Sequence, residues 1–551
     1  SKREFLRMSR QKRLQRTSKS SFLINNYSIS LVRWLAIGLC LTGLVSVSLA
    51  YEHQESLVDF EEYSEDVIAD TQSRGKPYFL LFSAEWCHWC HEFSEQTLTR
   101  QEVADYLNRH FTNVFIDVDI QDTTYVKYRA VGVPFTVFLN PDGSLYYKYG
   151  GTLYGDDFLD VIKEVSVNAG PGKTAFGTES AVVSYEPSLR LSVDDLLDFP
   201  VSFRRGVLDN VDSEEYGLGR GQKSILPRTF LYLLETGFDN DRKEAVDWLT
   251  KTMERAIENI YDPVEGGFFR YAETRDWRVP HYEKFSDLNA GSVLLLYRLN
   301  EIMPSPSLIE AADTTLRYLT STLFDSDLGC FLNIQVADTY YYFFNEKQRK
   351  TIEPPKVMDK IFSDRLAATL NYLIEVNEYV SDAKLEKQVI RSLDFLEQMI
   401  QQDQEVHRYF SVPGNLWSES GGLSDYAHLA YLFIRAASRF ENLHYSDVAS
   451  RLVHVSISKF YDEINGVFIE PTVGSNGNVE YLMSLNGLLV QAMISLGDRL
   501  DEKEQNIIER VITYYSLMGK VLEDRLWDAV DWDFTENYVA YLAAIDQFDL
   551  D

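Results

Sequence analysis

The sequence predicts a multidomain chain, an α/β domain followed by an all-α ring of helical hairpins, an (α/α)6 toroid. Three observations lead there. Residues 52–167 alternate apolar, strand-like runs with amphipathic segments around Cys87-His88-Trp89-Cys90. From about residue 191 the strand-like runs nearly disappear and helical periodicity takes over. Within this second half one connection recurs, Asp262 to Gly266 and Phe268, Asp325 to Gly329 and Phe331, Asp462 to Gly466 and Phe468, with a decayed copy from Gln402-Asp403 to Tyr409. The copies start at 261, 324, 402 and 461, which are 63, 78 and 59 residues apart and leave room for two helices and their loops. About 360 residues at that spacing make roughly six hairpins, the number that closes a ring. An open solenoid is the rival architecture; irregular intervals and one short turn motif favour closure.

The first 50 residues stand apart. They hold nine Lys/Arg and one acid, Glu4, so they carry +8, whereas the 551-residue chain carries −31 and its other 501 residues −39. A body that acidic repels phosphate backbones, which excludes nucleic acid as a partner. After the basic stretch, residues 34–50 are apolar and end in Ser48-Leu49-Ala50, followed by polar Tyr51-Glu52-His53-Gln54. That pattern predicts a signal peptide or an uncleaved membrane anchor, and both stay open. Either sends the acidic body across the membrane. The expected location is periplasmic or otherwise extracytoplasmic, at the inner membrane where the segment is retained. Met8 is a candidate start.

Residues 55–71 read as an amphipathic helix, and Tyr78-Phe79-Leu80-Leu81-Phe82 as a buried strand. Cys87-His88-Trp89-Cys90-His91 opens a helix, and 113–118 is a second strand. A short helix over 123–131 leads to a third strand starting at Val133-Pro134, turned by Asn140-Pro141-Asp142-Gly143 into a fourth. A helix over 155–165 closes the domain. A Gly/Ser/Thr-rich linker covers about 168–190, and the toroid runs over 191–548.

Only Cys87, Cys90 and Cys330 remain in the body, too few to staple some 500 residues, so cysteine serves chemistry here. Two cysteines three apart at a helix start close a small disulfide ring. The first thiol meets free N–H groups and the positive helix end, which stabilise its thiolate. Cys87 is then the nucleophile, Cys90 the resolving thiol, and protonated His88 a tuner of the potential. The alternative, a metal held by Cys87, Cys90, His88 and His91, lacks the second ligand pair that structural zinc draws on, so no metal is expected. Cys330 aligns with Gly267 and Val467 in the other copies, which predicts a packed thiol.

An apolar strand, CxxC, a helix and a later Val-Pro at a strand start make up the thioredoxin pattern. Ala84-Glu85-Trp86-Cys87, Glu92-Phe93 and Phe115-Ile116-Asp117-Val118-Asp119 resemble periplasmic thioredoxin modules of DsbD type. The resemblance implies a cis bond before Pro134, which presents the Val133 backbone to a client. It also exposes a departure: Leu81 stands where thioredoxins carry a buried Asp for proton transfer.

Gly266-Gly267-Phe268-Phe269-Arg270-Tyr271 and Trp277-Arg278-Val279-Pro280-His281-Tyr282-Glu283-Lys284, with the CHWC string, resemble the spermatogenesis-associated thioredoxin-domain family, which includes YyaL-like proteins. Asp359-Lys360 with Asp364, and Leu423-Ser424-Asp425-Tyr426-Ala427, are further echoes. The resemblance implies a thioredoxin-like domain joined to a toroid of the six-hairpin glycosidase and epimerase kind. Here Asp364-Arg365-Leu366 lacks the family's Trp-Asn pair, and Phe285-Ser286 replaces its Met-Leu.

Polar groups recur ahead of one helix in each hairpin: His281, Glu283 and Asp287; Asp359 and Asp364; Asp425 and His428; Asn486. Inner helices would bring them to one mouth, where carboxylates or histidines suit sugar chemistry and Trp277, Tyr282 and Tyr426 suit sugar stacking. The bland alternative is that they cap helices and fill the core. The expected function is an extracytoplasmic thiol:disulfide oxidoreductase with a toroid that binds a glycan or protein client. A carbohydrate-active toroid, hydrolase or epimerase-like, with an accessory redox domain is the alternative, and a non-catalytic scaffold the second. The dithiol is itself the redox group, so no cofactor is expected. The expected partners are a redox protein, thiol/disulfide clients, a carbohydrate ligand, and the membrane through the N-terminal segment if uncleaved.

Overall fold

A computed structural model describes residues 56–69, 75–130, 132–175, 193–238, 241–400, 405–418, 420–471, 479–526 and 533–548. The signal or anchor segment, most of the linker and the Gln402-Asp403 start of the decayed copy lie outside the described residues.

The N-terminal part is a five-stranded sheet in the order β1-β3-β2-β4-β5. β1 (Phe60–Glu62), β2 (Tyr78–Ser83) and β3 (Thr112–Asp117) run parallel, whereas β4 (Phe135–Leu139) is antiparallel to both of its neighbours, β2 and β5 (Leu145–Gly150). β2 is apolar on both faces because both are covered. Phe79 and Leu81 face one core and Leu80 and Phe82 the other. α1 (Glu65–Ala69), α2 (His88–Phe93), α3 (Gln101–His110), α4 (Asp122–Lys127) and α5 (Gly155–Asn168) complete the layers. The helix expected over 55–71 is replaced by edge strand β1 and the single turn α1. The strand wins because Phe60 packs on Phe79 and Phe115, with ring centroids 6.0 and 5.9 Å away.

Twelve longer helices follow among the described residues: α6 (Val193–Asp209), α7 (Pro227–Thr236), α8 (Arg242–Asn259), α9 (Ser286–Ile302), α10 (Pro306–Ser321), α11 (Ser363–Val380), α12 (Ala383–Gln398), α13 (Leu423–Arg439), α14 (Leu443–Phe460), α15 (Val479–Leu496), α16 (Glu502–Leu526) and α17 (Asp533–Gln547). α7, α9, α11, α13, α15 and α17 each pack on the next, and α17 packs back on α7. The ring is therefore closed, and the open solenoid is excluded. The other six form an outer layer, whose amphipathic faces bury one stripe each.

The repeated connection has one physical design. The leading Asp accepts backbone N–H bonds from the turn: Val264 to Asp262, Asp327 and Leu328 to Asp325, Ile464 to Asp462. Gly266, Gly329 and Gly466 adopt φ of +82°, +81° and +76°, which a side chain would strain. An inner-helix asparagine then clamps the strand that follows. Asn289 bonds both N–H and C=O of Phe268, and Asn486 does the same for Phe468. Asn486 is thus a buried brace and not a ligand of the mouth. One more copy escaped the sequence reading: Asp212 accepts from Glu214 and Glu215 N–H, and Gly217 has φ +70°. Its Val-Asp-Ser-Glu-Glu-Tyr-Gly string lacks the aromatic landmarks of the others. In two copies the Asp also grips a buried lysine, Lys223 to Asp212 at 3.0 Å and Lys284 to Asp262 at 2.8 Å.

Candidate active site

Cys87 is the N-cap of α2, in extended conformation, and its Sγ accepts the Cys90 N–H at 3.1 Å. Cys87 and Cys90 form a disulfide with Cα atoms 5.3 Å apart. The Val133–Pro134 bond is cis, and Cys87 Sγ lies 3.5 Å from the Val133 carbonyl oxygen. The pair therefore occupies the helix end that favours thiolate, beside a backbone edge able to receive an extended chain.

The toroid covers this site. Cys87 and Cys90 are 3% and 4% exposed, in one apolar cluster with Trp86 and with Phe285, Ile334, Met358 and Phe362 of the ring. Trp86 stands edge-on to Phe285 at 5.1 Å, and the Arg270 guanidinium lies 4.4 Å over its ring. The Trp86 Nε1–H donates to Asp119 at 2.7 Å, and Asp119 also accepts from Arg365 at 2.9 Å. Arg408 donates twice, at 3.1 Å, to the Asp119 carbonyl oxygen. Lys356 pairs with Glu85 at 2.8 Å. His88 and Trp89 are half-buried at the edge of this seam.

His281 and Glu283, on the connection from β6 (Tyr271–Ala272) and β7 (Pro280–His281) to β8 (Lys284–Phe285), come to the CHWC helix. Trp89 Nε1–H donates to His281 Nε2 at 3.3 Å. Burial, then Arg270 and His88, lower His281 to about 4, so its ring is neutral near pH 7. Glu273 Oε2, 3.6 Å from the same nitrogen, is accordingly no ion-pair partner at that pH. Glu283 is 1% exposed, and the His88 N–H points at its carboxylate. Burial raises its pKa against the pull of Arg270 and His88.

The other expected mouth residues are occupied differently. Arg408 Nη1 joins Asp364 at 2.9 Å and Asp425 at 3.0 Å. Burial opposes the charge of both. Arg408, His428 and Arg365 nevertheless hold Asp364 well below the usual carboxylate range, while Asp425 is pushed up. Two carboxylates share one guanidinium, and a single charge satisfies it. Since Arg408 also grips Asp119, this pair is a docking element and not an open acid/base couple. Asp359 lies off to the side, 3.3 Å from Lys356. Asp287 accepts the Leu288 N–H at the start of α9 and faces Arg365. His428 Nδ1 is 2.9 Å from the Ser424 carbonyl, and burial, then Arg228, lower it to about 4.

The stacking role expected of Trp277 and Tyr426 is overturned. Trp277 and Tyr426 are fully buried; Trp277 Nε1–H donates to the Glu215 carbonyl at 2.9 Å, and Tyr426 packs on Phe460. Tyr282 is half-buried and stacked on Tyr342, ring centroids 5.6 Å apart. Cys330 is a buried free thiol whose pKa burial drives up. Arg365, Arg408 and Asp119 were missed by sequence reading; the Asp364-Arg365 pair at a helix start was the available signal. Among the described residues no three His, Cys, Asp or Glu side chains gather as a metal site requires, and no helix is long and apolar enough to cross a membrane.

Comparison with known proteins agrees with this architecture. Residues 44–165 match the family model Thioredox_DsbH, described as a protein of unknown function, DUF255. Spermatogenesis-associated protein 20 of Rattus norvegicus is 26% identical over 316 residues, covering 52% of this chain and 40% of that protein. Its Homo sapiens counterpart is 25% identical over 346 residues, 56% of this chain and 44% of the other. The matched part thus spans less than half the length of these curated relatives. A solved D-mannose isomerase superposes with TM-score 0.50 and 10% identity, covering 66% of this chain and 99% of that one, a likeness of fold alone. The chain is thus similar, over part of its length, to spermatogenesis-associated protein 20, and its described residues form a thioredoxin-like domain joined to an (α/α)6 toroid.

Proposed function

We propose that the protein is a thiol:disulfide oxidoreductase, acting outside the cytoplasm, in which Cys87 attacks and Cys90 resolves. The observation that carries this reading is the Cys87–Cys90 disulfide at the α2 N-terminus, with Cys87 Sγ 3.5 Å from the Val133 carbonyl oxygen. His88, next to Cys87, adds positive charge when protonated, which stabilises the Cys87 thiolate and makes the disulfide a stronger oxidant. Pro134 shapes the edge on which a client lies. The toroid covers the dithiol and so selects clients: an extended peptide or small disulfide enters the seam beside His88 and Trp89, whereas a globular protein is kept out. Electrons come from or pass to a partner redox protein. The test is exchange with glutathione followed by thiol trapping. Wild type should cycle between disulfide and dithiol, and Cys87→Ser should abolish cycling; a wild-type pair that never exchanges sinks the reading.

A second reading rests on one feature of the ring. Arg228 on α7 interacts electrostatically with Tyr372 on α11 and with His428 on α13 in its interior. Neutral imidazole beside an arginine and a tyrosine hydroxyl suits a polyol, so the ring binds a small glycan in this reading. Titration calorimetry with neutral mono- and disaccharides checks it: binding lost in His428→Ala supports the reading, and no heat in wild type removes it.

A further inference from the structure

A dithiol that turns over needs somewhere to put a proton. Before Cys90 attacks the Cys87 sulfur of a mixed disulfide it must lose its own, and inside an apolar cluster water is a poor acceptor. The thioredoxin half does not supply one. Leu81, six residues before Cys87 on β2, is buried among apolar side chains of the sheet. Asp119 is close and buried, but Trp86 occupies one of its oxygens and Arg365 the other. Glu85 is held by Lys356.

Glu283 differs on each count. It is 1% exposed, and its Oε2 has no hydrogen-bond partner although it is buried. An orphaned buried carboxylate oxygen is costly and calls for an explanation. The chain neighbours of Glu283 flank the dithiol: His281, two residues back, accepts from the Trp89 Nε1–H, and Phe285, two residues on, packs in one cluster with Cys87 and Cys90. The charged and titratable groups facing it are Arg270 on its own connection and His88 on α2, with His281, which Trp89 contacts, two residues away. Arg270 is itself laid over Trp86. Burial against a nearby cation keeps both protonation states within reach, as a group that accepts and returns a proton requires.

Resting on the oxidoreductase reading, we propose that Glu283, contributed by the toroid, is the proton acceptor and donor of the Cys87–Cys90 couple. In the reducing direction the Cys87 thiolate attacks a client disulfide; a Cys87–client S–S bond forms and one client thiolate leaves. Cys90 gives its proton to the Glu283 carboxylate, its sulfur attacks Cys87 Sγ, and the second client thiolate departs and takes that proton from Glu283. Two electrons pass from the dithiol to the client, and every proton is accounted for. Oxidation of a client runs the same steps backwards. The two domains then complete one active site.

The test follows the resolving step in the full chain. Reduced protein is mixed with oxidised glutathione, quenched with acid, and the Cys87–glutathione adduct is timed by intact mass. Glu283→Gln keeps an oxygen for the His88 N–H but cannot take a proton. Its adduct should decay about a hundredfold more slowly than wild type near pH 7, and recover above about pH 8.5, where thiols ionise unaided. Glu283→Asp keeps a carboxyl, one methylene shorter, and should decay faster than Gln near pH 7. If Gln decays like wild type at every pH, or Asp is as slow as Gln, the proposal fails. If wild type never forms the Cys87–Cys90 disulfide from the adduct, the oxidoreductase reading falls instead.

Discussion

At the residue scale the functional side chains divide by what neutralises them. Cys87 has helix N–H groups, Asp364 has Arg408, and His281 and His428 have burial against arginines. The two histidines give a pH dependence of known sign. Each sits at about 4 in the folded chain against an ordinary 6.5, so their stabilising contribution is complete above pH 6.5 and drains away as pH falls toward 4. His428→Gln removes one of them. Thermal midpoints measured from pH 7 to 4 should therefore fall less steeply in the variant, corresponding to about 3 kcal/mol of unfolding free energy at the acid end; parallel curves would refute it. For the dithiol, Cys90→Ser should leave Cys87 as a lasting adduct with glutathione, detectable by mass, whereas Cys87→Ser should form none.

At the scale of elements, the repeated turn shows where sequence reading reaches and where it stops. Asp262, Gly266 and Phe268 recur at fixed offsets because an Asp-capped turn and a positive-φ glycine leave few substitutes, so the hairpin repeat was legible. The clamp by Asn289 and Asn486 was not, since each lies about 20 residues from the strand it holds. An asparagine at a helix start reads equally well as a ligand or a brace. Asn486→Ala would leave the Phe468 N–H and C=O buried and unpaired. It should cost about 3 kcal/mol in urea unfolding, and a loss below about 0.5 kcal/mol, an ordinary surface effect, would contradict the role. The same ambiguity misplaced β1, where amphipathic spacing suggested a helix but Phe60 was destined for the sheet. Trp277 was taken for an exposed stacker because nothing local announces that Glu215 holds its Nε1–H inside the core.

For the whole molecule, the fold class and the CHWC motif were legible within short stretches, but the seam between domains was not. His281 lies 192 residues from Trp89, and Arg408 lies 289 from Asp119. Residues grouped as a sugar mouth from their place in the repeat prove to be divided: His281 and Glu283 meet the CHWC helix, while Asp364 and Asp425 serve the arginine that docks it. The seam has a consequence. Arg365→Leu leaves buried Asp119 without its cation, a loss of about 3 kcal/mol for a buried pair. The seam should loosen, and alkylation of the reduced dithiol by iodoacetamide should speed up about tenfold or more, with an unchanged rate counting against toroid shielding.

The central claim is that Cys87 and Cys90 are a working redox couple. Its most direct test is a redox titration of the full chain in glutathione and dithiothreitol buffers, read by thiol trapping. A reversible two-electron transition is expected between about −270 and −120 mV, the range of known CxxC oxidoreductases, and none in Cys87→Ser. A pair that stays wholly oxidised or wholly reduced across that series would contradict it.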